Sequence, residues 1–277
     1  MAAPAGKVPI LQSVRAGAAF VGARWRVLTP ITFAGVAAVL VAAGLTGALS
    51  AAPALPLLMF LLQALVMGAV YAGYLGVALK GDEERRGAFF GDVARLIPAM
   101  AVTGLFLFLL MFIAFLPGGV VLTAASAPWA AELQAHAGDP AATSLILQRA
   151  MQANPAPFLA LAAIYAFIWL ALTSRLYLVA PATVAENHVR TFETWAWTKG
   201  AMLRIAAARL LLLAPLSAGL FVAQGLLAHW ARAQGGETAQ GWAAGLAVVF
   251  VFASLVVLAL EAGLSAYLYR GLRPKPA

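Results

Sequence analysis

The sequence predicts an all-α membrane protein in which six transmembrane helices form a single polytopic bundle. Composition is the first observation behind this prediction: 64% of the 277 residues are hydrophobic, against roughly 45–50% in a soluble domain. The second observation is that the apolar residues fall into runs, and about 20 apolar residues are enough to cross a bilayer. Six such runs are present, at about 27–49, 55–79, 97–123, 157–180, 208–229 and 242–269.

The positive charges indicate how these runs are oriented. Arg149 and Arg232 fall on one side of the predicted membrane, and every other Lys and Arg falls on the opposite side. Because cytoplasmic loops carry an excess of Lys and Arg, we predict cytoplasmic N- and C-termini and a location in a bacterial inner membrane. The same sorting accounts for the net charge of +8. We therefore expect anionic membrane lipids, and not nucleic acid, as the partners of these charges.

The connections between the runs carry their own signals. Residues 1–26 are interrupted by arginines and lack the apolar segment of a cleavable signal peptide, so they favour a cytoplasmic interfacial amphipathic helix. The third and fourth runs are joined by the only long outer connection, about 124–156, which we expect to be periplasmic. Within it, the pattern predicts a helix with Thr143 as its N-cap.

Aromatic–leucine pairs recur near the inner ends of the second, fourth and sixth runs. They are Tyr74-Leu75, Tyr177-Leu178 and Tyr267-Leu268. The simplest hypothesis is a repeat of three parallel units, near 10–80, 87–180 and 190–270, each with an interfacial helix followed by a hairpin of two spans. Chance similarity between two-span hairpins is the alternative.

Two runs carry small residues at a spacing of four. The second run has Gly68, Ala72 and Gly76, and the sixth has Ala259 and Gly263. Small residues let helix backbones approach closely. We expect packing within one chain, and a homo-oligomer formed through one of these faces remains the alternative.

Two ionisable residues, Arg175 and Glu261, fall inside predicted spans. Both spans run in the same direction, so the two side chains are expected at similar depth. A lone charge within a bilayer costs several kcal/mol, and we therefore predict an intramembrane pair between them. In the alternatives, Glu261 lines a polar pathway for a proton or cation, or it is protonated and hydrogen-bonded to a neighbour.

The sequence shows no constellation of catalytic or metal-ligating residues. Cysteine is absent, and the three histidines belong to different segments. No phosphate-binding glycine loop, zinc-binding His-Glu-x-x-His motif or serine nucleophile motif is present. We predict a protein that is not an enzyme and has neither a cofactor nor a bound metal.

The stretch 174–200 is the most distinctive part of the chain. An Arg ends a span, Pro181 follows, and an aromatic segment with Phe192, Trp195 and Trp197 leads to Gly200. This pattern resembles the bacterial multi-pass family that includes the membrane domain of glycerophosphoryl diester phosphodiesterases and the YciC-like proteins. The resemblance covers about 30 residues, and the phosphodiesterase chemistry of that family belongs to a separate soluble barrel domain. It implies a membrane bundle whose role is set by its lipids or partners.

The same resemblance implies that Pro181 ends the fourth span and that the aromatic segment after it is an interfacial helix. Phe192, Trp195 and Trp197 would anchor this helix at the inner leaflet, and Trp25 lies at the inner boundary of the first span. Indole rings favour this interface because the ring is apolar and the N–H needs a polar partner.

These patterns together predict a non-enzymatic scaffold or accessory subunit of a membrane assembly. Its expected partners are membrane lipids and either a second copy of the chain or another membrane protein. The alternative is a transporter or channel for a lipid-like or small hydrophobic solute, with Arg175 and Glu261 bordering the path.

Overall fold

Helices form all the regular secondary structure of the computed structural model, which describes residues 8–48, 55–234 and 236–274. A 3-10 turn at Ala127–Trp129 joins the third and fourth helices. In chain order the helices are α1 (Ile10–Ala48), α2 (Leu55–Leu79), α3 (Asp82–Ser126), α4 (Ala130–Ala135), α5 (Pro140–Ala153), α6 (Pro155–Arg175), α7 (Val179–Ala185), α8 (Glu193–Trp197), α9 (Met202–Gln234) and α10 (Gly236–Leu272).

Six helices in the described ranges are long and apolar enough to cross a membrane, namely α1, α2, α3, α6, α9 and α10. The predicted all-α class with six membrane-spanning helices is therefore confirmed. Residue 49, the predicted end of the first span, lies outside the described residues.

The helices α1 and α3 start much earlier than the predicted spans that they contain. The first begins at Ile10 and the third at Asp82, whereas the apolar runs begin near 27 and 97. Neither extension, 10–26 or 82–96, contains a proline, so no backbone N–H is missing from the helical hydrogen bonds there. The segments predicted as separate interfacial helices are thus continuous with the spans.

Pro181 does not end the fourth span, as was expected from the resemblance. Helix α6 ends at Arg175, and Pro181 lies in the first turn of the short helix α7. A proline there removes the N–H that would bond to the carbonyl of Tyr177, so the break appears before the proline. The hydroxyl of Thr198 donates to the freed carbonyl of Arg175 at 2.9 Å.

The non-helical residues at this break, Leu176, Tyr177 and Leu178, are all buried. Irregular backbone at membrane depth is tolerated where protein covers it. The predicted interfacial helix that follows is reduced to α8, a single turn of five residues. Gly200, at a φ of +78°, then redirects the chain into α9, because glycine adopts this conformation without steric cost.

The first of two compact units comprises residues up to Thr103 and from Ser174 onwards. Its apolar core joins α1, α2, the first part of α3, α7, α9 and α10. All three aromatic–leucine pairs are buried in this core: Tyr74-Leu75, Tyr177-Leu178 and Tyr267-Leu268.

Two close helix crossings explain why α1 and α10 carry glycines. A Cβ atom added at Gly35 would lie 2.7 Å from the Val70 side chain and 2.9 Å from that of Leu255. One added at Gly263 would lie 2.7–2.9 Å from three atoms of Phe20. Both distances are shorter than van der Waals contact, so the helices approach this closely only because the side chains are missing.

The second unit, Gly104–Thr173, holds the far part of α3 together with α4, α5 and most of α6. The ring of Phe115 lies 4.1 Å from that of Tyr165, centroid to centroid. Helix α5 begins at Pro140, and the carboxylate of Asp139 accepts from the N–H groups of Ala141 and Ala142 at 2.9 and 3.1 Å. The prediction of Thr143 as N-cap was wrong because Asp-Pro provides both a better cap and a preset first φ.

Candidate functional site

A buried ion pair joins the end of α2 to the start of α3. The ammonium of Lys80 donates to the two carboxylate oxygens of Asp92 at 2.7 and 2.8 Å, and both side chains are only 2% exposed. The side-chain oxygen of Asn187 accepts from Lys80 at 2.8 Å and from Arg95 at 3.4 Å. Arg95 also donates to Asp92 at 3.3 Å. We call Lys80, Asp92, Arg95 and Asn187 the polar cluster.

The backbone of Asn187 is adapted to this position. Its φ is +52°, in the left-handed region that Asn tolerates better than most residues. The turn between α7 and α8 therefore presents the Asn187 side chain to a lysine that lies 107 positions earlier in the sequence. The sequence analysis did not predict this cluster, because Lys80 and Arg95 served there only to orient the spans in the membrane. The residue that could have indicated it is Asp92, a carboxylate among apolar neighbours.

A second network ties the same turn to α10. Glu186 accepts from the hydroxyl of Tyr269 at 2.9 Å and from Arg190 at 2.8 Å, and Arg190 also pairs with Glu193. Desolvation alone would lower the pKa of Arg190, but the hydrogen bonds to Glu186 and Glu193 outweigh it and raise that pKa above its ordinary value. Arg190 is therefore a permanent positive charge between two carboxylates.

The predicted pair between Arg175 and Glu261 was wrong. The carboxylate of Glu261 lies 3.8 Å from the guanidinium of Arg209, and the guanidinium of Arg175 lies 4.9 Å over the ring of Trp195. Because α6 stops at Arg175, the chain turns there and the side chain meets α8. Arg209 had been counted in the sequence with the positive charges of the cytoplasmic side, and so was not considered as a partner for Glu261. It lies about two turns inside α9, at a depth similar to that of Glu261.

Aromatic and hydroxyl groups surround this second pair. Arg209 lies 4.7 Å over the ring of Tyr177, whose hydroxyl donates to the backbone carbonyl of Glu261 at 3.4 Å. Nearby, the hydroxyls of Tyr71 and Ser265 are 3.3 Å apart. The side chains of Arg209 and Glu261 are 18% and 26% exposed. The arrangement holds two opposite charges within the membrane-spanning part of the chain, and no group of metal-ligating residues is found among the described residues.

An apolar groove runs between α1, α2 and the start of α3. Its volume is about 490 Å³. The floor and walls are formed by Pro30, Ile31, Ala34, Gly35, Ala38, Val66, Ala69, Val70 and Gly73, and the lining is completed by Arg85, Arg86 and Phe89. The two arginines are the ionisable residues of this lining. Glu261 and Arg175 are not part of it, so the groove and the intramembrane charges are separate features.

The predicted small-residue stripes contact other helices of the same chain. Cβ atoms added at Gly68 and Gly76 would lie 3.4 Å from Ile97 and 3.2 Å from Arg85 of α3. Ala72 and Ala259 are 1% and 2% exposed, and Gly263 faces Phe20 of α1 as described above.

The predicted aromatic anchors are placed in different ways. Trp25 and Phe192 are exposed, at 57% and 44%, and the guanidinium of Arg26 lies 5.5 Å over the Trp25 ring. Trp195 stacks beneath Arg175, and the Trp197 ring lies 6.3 Å from that of Tyr269. The two tryptophans of α8 therefore pack on the chain itself, whereas Trp25 and Phe192 keep a large part of their surface exposed.

No protein-family model, curated protein or solved structure matches this chain. The family resemblance of residues 174–200 stays a prediction.

Proposed function

We propose that the protein is a non-enzymatic scaffold or accessory subunit of an assembly in a bacterial inner membrane, in contact with lipids. The observation that supports this best is the polar cluster. Its buried Lys80–Asp92 pair and the Asn187 side chain join the end of α2, the first part of α3 and the turn between α7 and α8. Because the four residues of the polar cluster are hydrogen-bonded to one another, we expect this end of the helices to be rigid, as a scaffold requires.

The proposed orientation places the polar cluster and both termini in or near the cytoplasm. The support is the distribution of charge, because Arg149 in α5 and Arg232 near the end of α9 are outnumbered by the other described positive charges, which lie at or near the opposite ends of the spans. Inner-membrane proteins retain such charges on the cytoplasmic side.

A second candidate function, movement of a lipid-like solute, is favoured by one observation. The apolar groove between α1, α2 and α3 is large enough for a small ligand and ends in two arginines. Transport would require the bound molecule to leave on the other side of the membrane. An assay of fluorescent phosphatidylglycerol exchange between leaflets of proteoliposomes separates the two functions, since a scaffold leaves the rate at that of protein-free liposomes.

The experiment that tests the scaffold proposal is native mass spectrometry of the particle extracted with its surrounding lipid. We expect either a multiple of the 28.7 kDa chain or a stoichiometric complex with another membrane protein that survives a second purification step. A particle that holds a single copy of the chain and no protein partner would contradict the proposal.

A further inference from the structure

The walls of the groove are built for a flexible apolar ligand. Small residues, Ala34 and Ala38 on α1 and Ala69 and Gly73 on α2, leave space between two helices that cross tightly at Gly35. Along α2 the wall runs from Val66 to Gly73, about 10 Å at 1.5 Å per residue.

The size of the groove suits a single hydrocarbon chain. The groove offers about 490 Å³, which is within the range of small-molecule sites. Hydrocarbon chains are also the solvent that the surrounding bilayer supplies on every side of a spanning helix.

The charge at the mouth of the groove selects an anionic head group. Arg85 and Arg86 both line this end, and Arg86 is exposed. Guanidinium groups bind phosphate oxygens in a bidentate manner. The acidic neighbours Glu83 and Glu84 are exposed and lie outside the lining, whose charged residues are these two arginines.

We propose that the groove is a binding site for one anionic glycerophospholipid. Its phosphate is held by Arg85 and Arg86, and part of one acyl chain lies between α1 and α2. This assignment rests on the lipid contact in the proposed function and names its class and place. It does not depend on the oligomeric state.

The test uses the purified full chain in detergent, titrated with dioleoyl phosphatidylglycerol or with dioleoyl phosphatidylcholine and read by native mass spectrometry. We expect one tightly held phosphatidylglycerol per chain. The double variant R85Q/R86Q should bind it about 25-fold more weakly, because each such charge near an anionic head group contributes about fivefold. The control R15Q/R26Q removes two exposed charges from α1 outside the groove and should retain the lipid.

The acyl chain is tested separately by filling the groove. Ala34→Phe should abolish retention, whereas Ala37→Phe, exposed on the same helix outside the lining, should not. Circular dichroism and thermal unfolding of each variant confirm that it is folded.

Three results would overturn the lipid site: equal loss in R85Q/R86Q and R15Q/R26Q, retention by Ala34→Phe, or displacement of the lipid by inorganic phosphate. The same spectra give the number of chains and any protein partner. Failure of the lipid site is therefore distinguishable from failure of the scaffold proposal.

Discussion

At the scale of single residues, the structure is held at one end by charges that have been removed from solvent. Desolvating an ion pair is costly, and removing one partner leaves the other charge buried without compensation. Lys80 and Asp92 are both 2% exposed. The pair therefore adds little net stability to the fold, but removal of one partner would destabilise the fold strongly.

Asp92→Asn should lower the free energy of unfolding by about 3–5 kcal/mol, because the Lys80 ammonium loses its counter-charge. Unfolding in increasing denaturant, followed by circular dichroism in detergent micelles, measures the change. Glu84→Gln removes an exposed carboxylate from the same helix and should have an effect near zero. Replacing both partners, in K80M/D92L, should recover most of the loss, and failure to recover would argue against a simple ion-pair account.

The intramembrane charges predict a specific pattern of energetic coupling. A double-mutant cycle with Arg209→Gln and Glu261→Gln should give a coupling free energy of about 0.5–3 kcal/mol, as expected for residues in contact. The matching cycle with Arg175→Gln and Glu261→Gln should give a value close to zero, since Arg175 lies over Trp195. The reverse result would restore the pair that the sequence suggested.

At the scale of elements, the apolar runs predicted the number and type of the long helices but not all of their ends. Run length follows from bilayer thickness, which is why six spans were found correctly. The ends depend on local chemistry: Asp139-Pro140 sets the start of α5, and Pro181 displaces the end of α6 to Arg175. The Arg209–Glu261 partnership could not be predicted because it depends on which faces of α9 and α10 meet.

The crossing of α1 and α10 gives a prediction for one glycine. Gly263→Ala should destabilise the fold by about 1–3 kcal/mol, since the added Cβ overlaps the rigid base of the Phe20 side chain. Gly245→Ala, on the same helix with nothing within 4 Å of the added atom, should be neutral or stabilising by up to about 1 kcal/mol. Thermal unfolding of the two variants compares them directly, and a Gly263→Ala variant as stable as Gly245→Ala would mean that the crossing relaxes around the added Cβ.

At the scale of the whole molecule, the chain combines a buried core, like that of a soluble protein, with large exposed apolar surfaces. The three aromatic–leucine pairs are buried in the first unit, whereas Phe108 and Phe112 on α3 are 64% and 57% exposed. Exposed apolar residues on spanning helices are expected in a bilayer, where the lipid is as apolar as the side chain. The two kinds of surface explain how a chain with 64% hydrophobic residues forms a defined structure.

The proposed orientation can be tested on this molecule with little disturbance, because the chain contains no cysteine. Single cysteines at exposed positions, Gly138→Cys near α5 and Glu84→Cys near the polar cluster, give two reporters. In intact spheroplasts, a membrane-impermeant maleimide should label Gly138→Cys and should reach Glu84→Cys only after the membrane is permeabilised. The opposite order of labelling would invert the topology.

The long sequence separations within the polar cluster have a consequence for how the protein is made. Lys80 and Asp92 leave the ribosome almost together, but Asn187 is made 107 residues after Lys80, which is about 5–20 s at ordinary rates of synthesis. Arg270, whose guanidinium donates to the carbonyl of Ala78 at 2.5 Å, comes 192 residues after that carbonyl. Until then, the first helices lie in the membrane without the contacts that Asn187 and Arg270 make. A nascent chain that stalls before α10 can already place Asn187 against Lys80, but it lacks the contact of Arg270 with the Ala78 carbonyl.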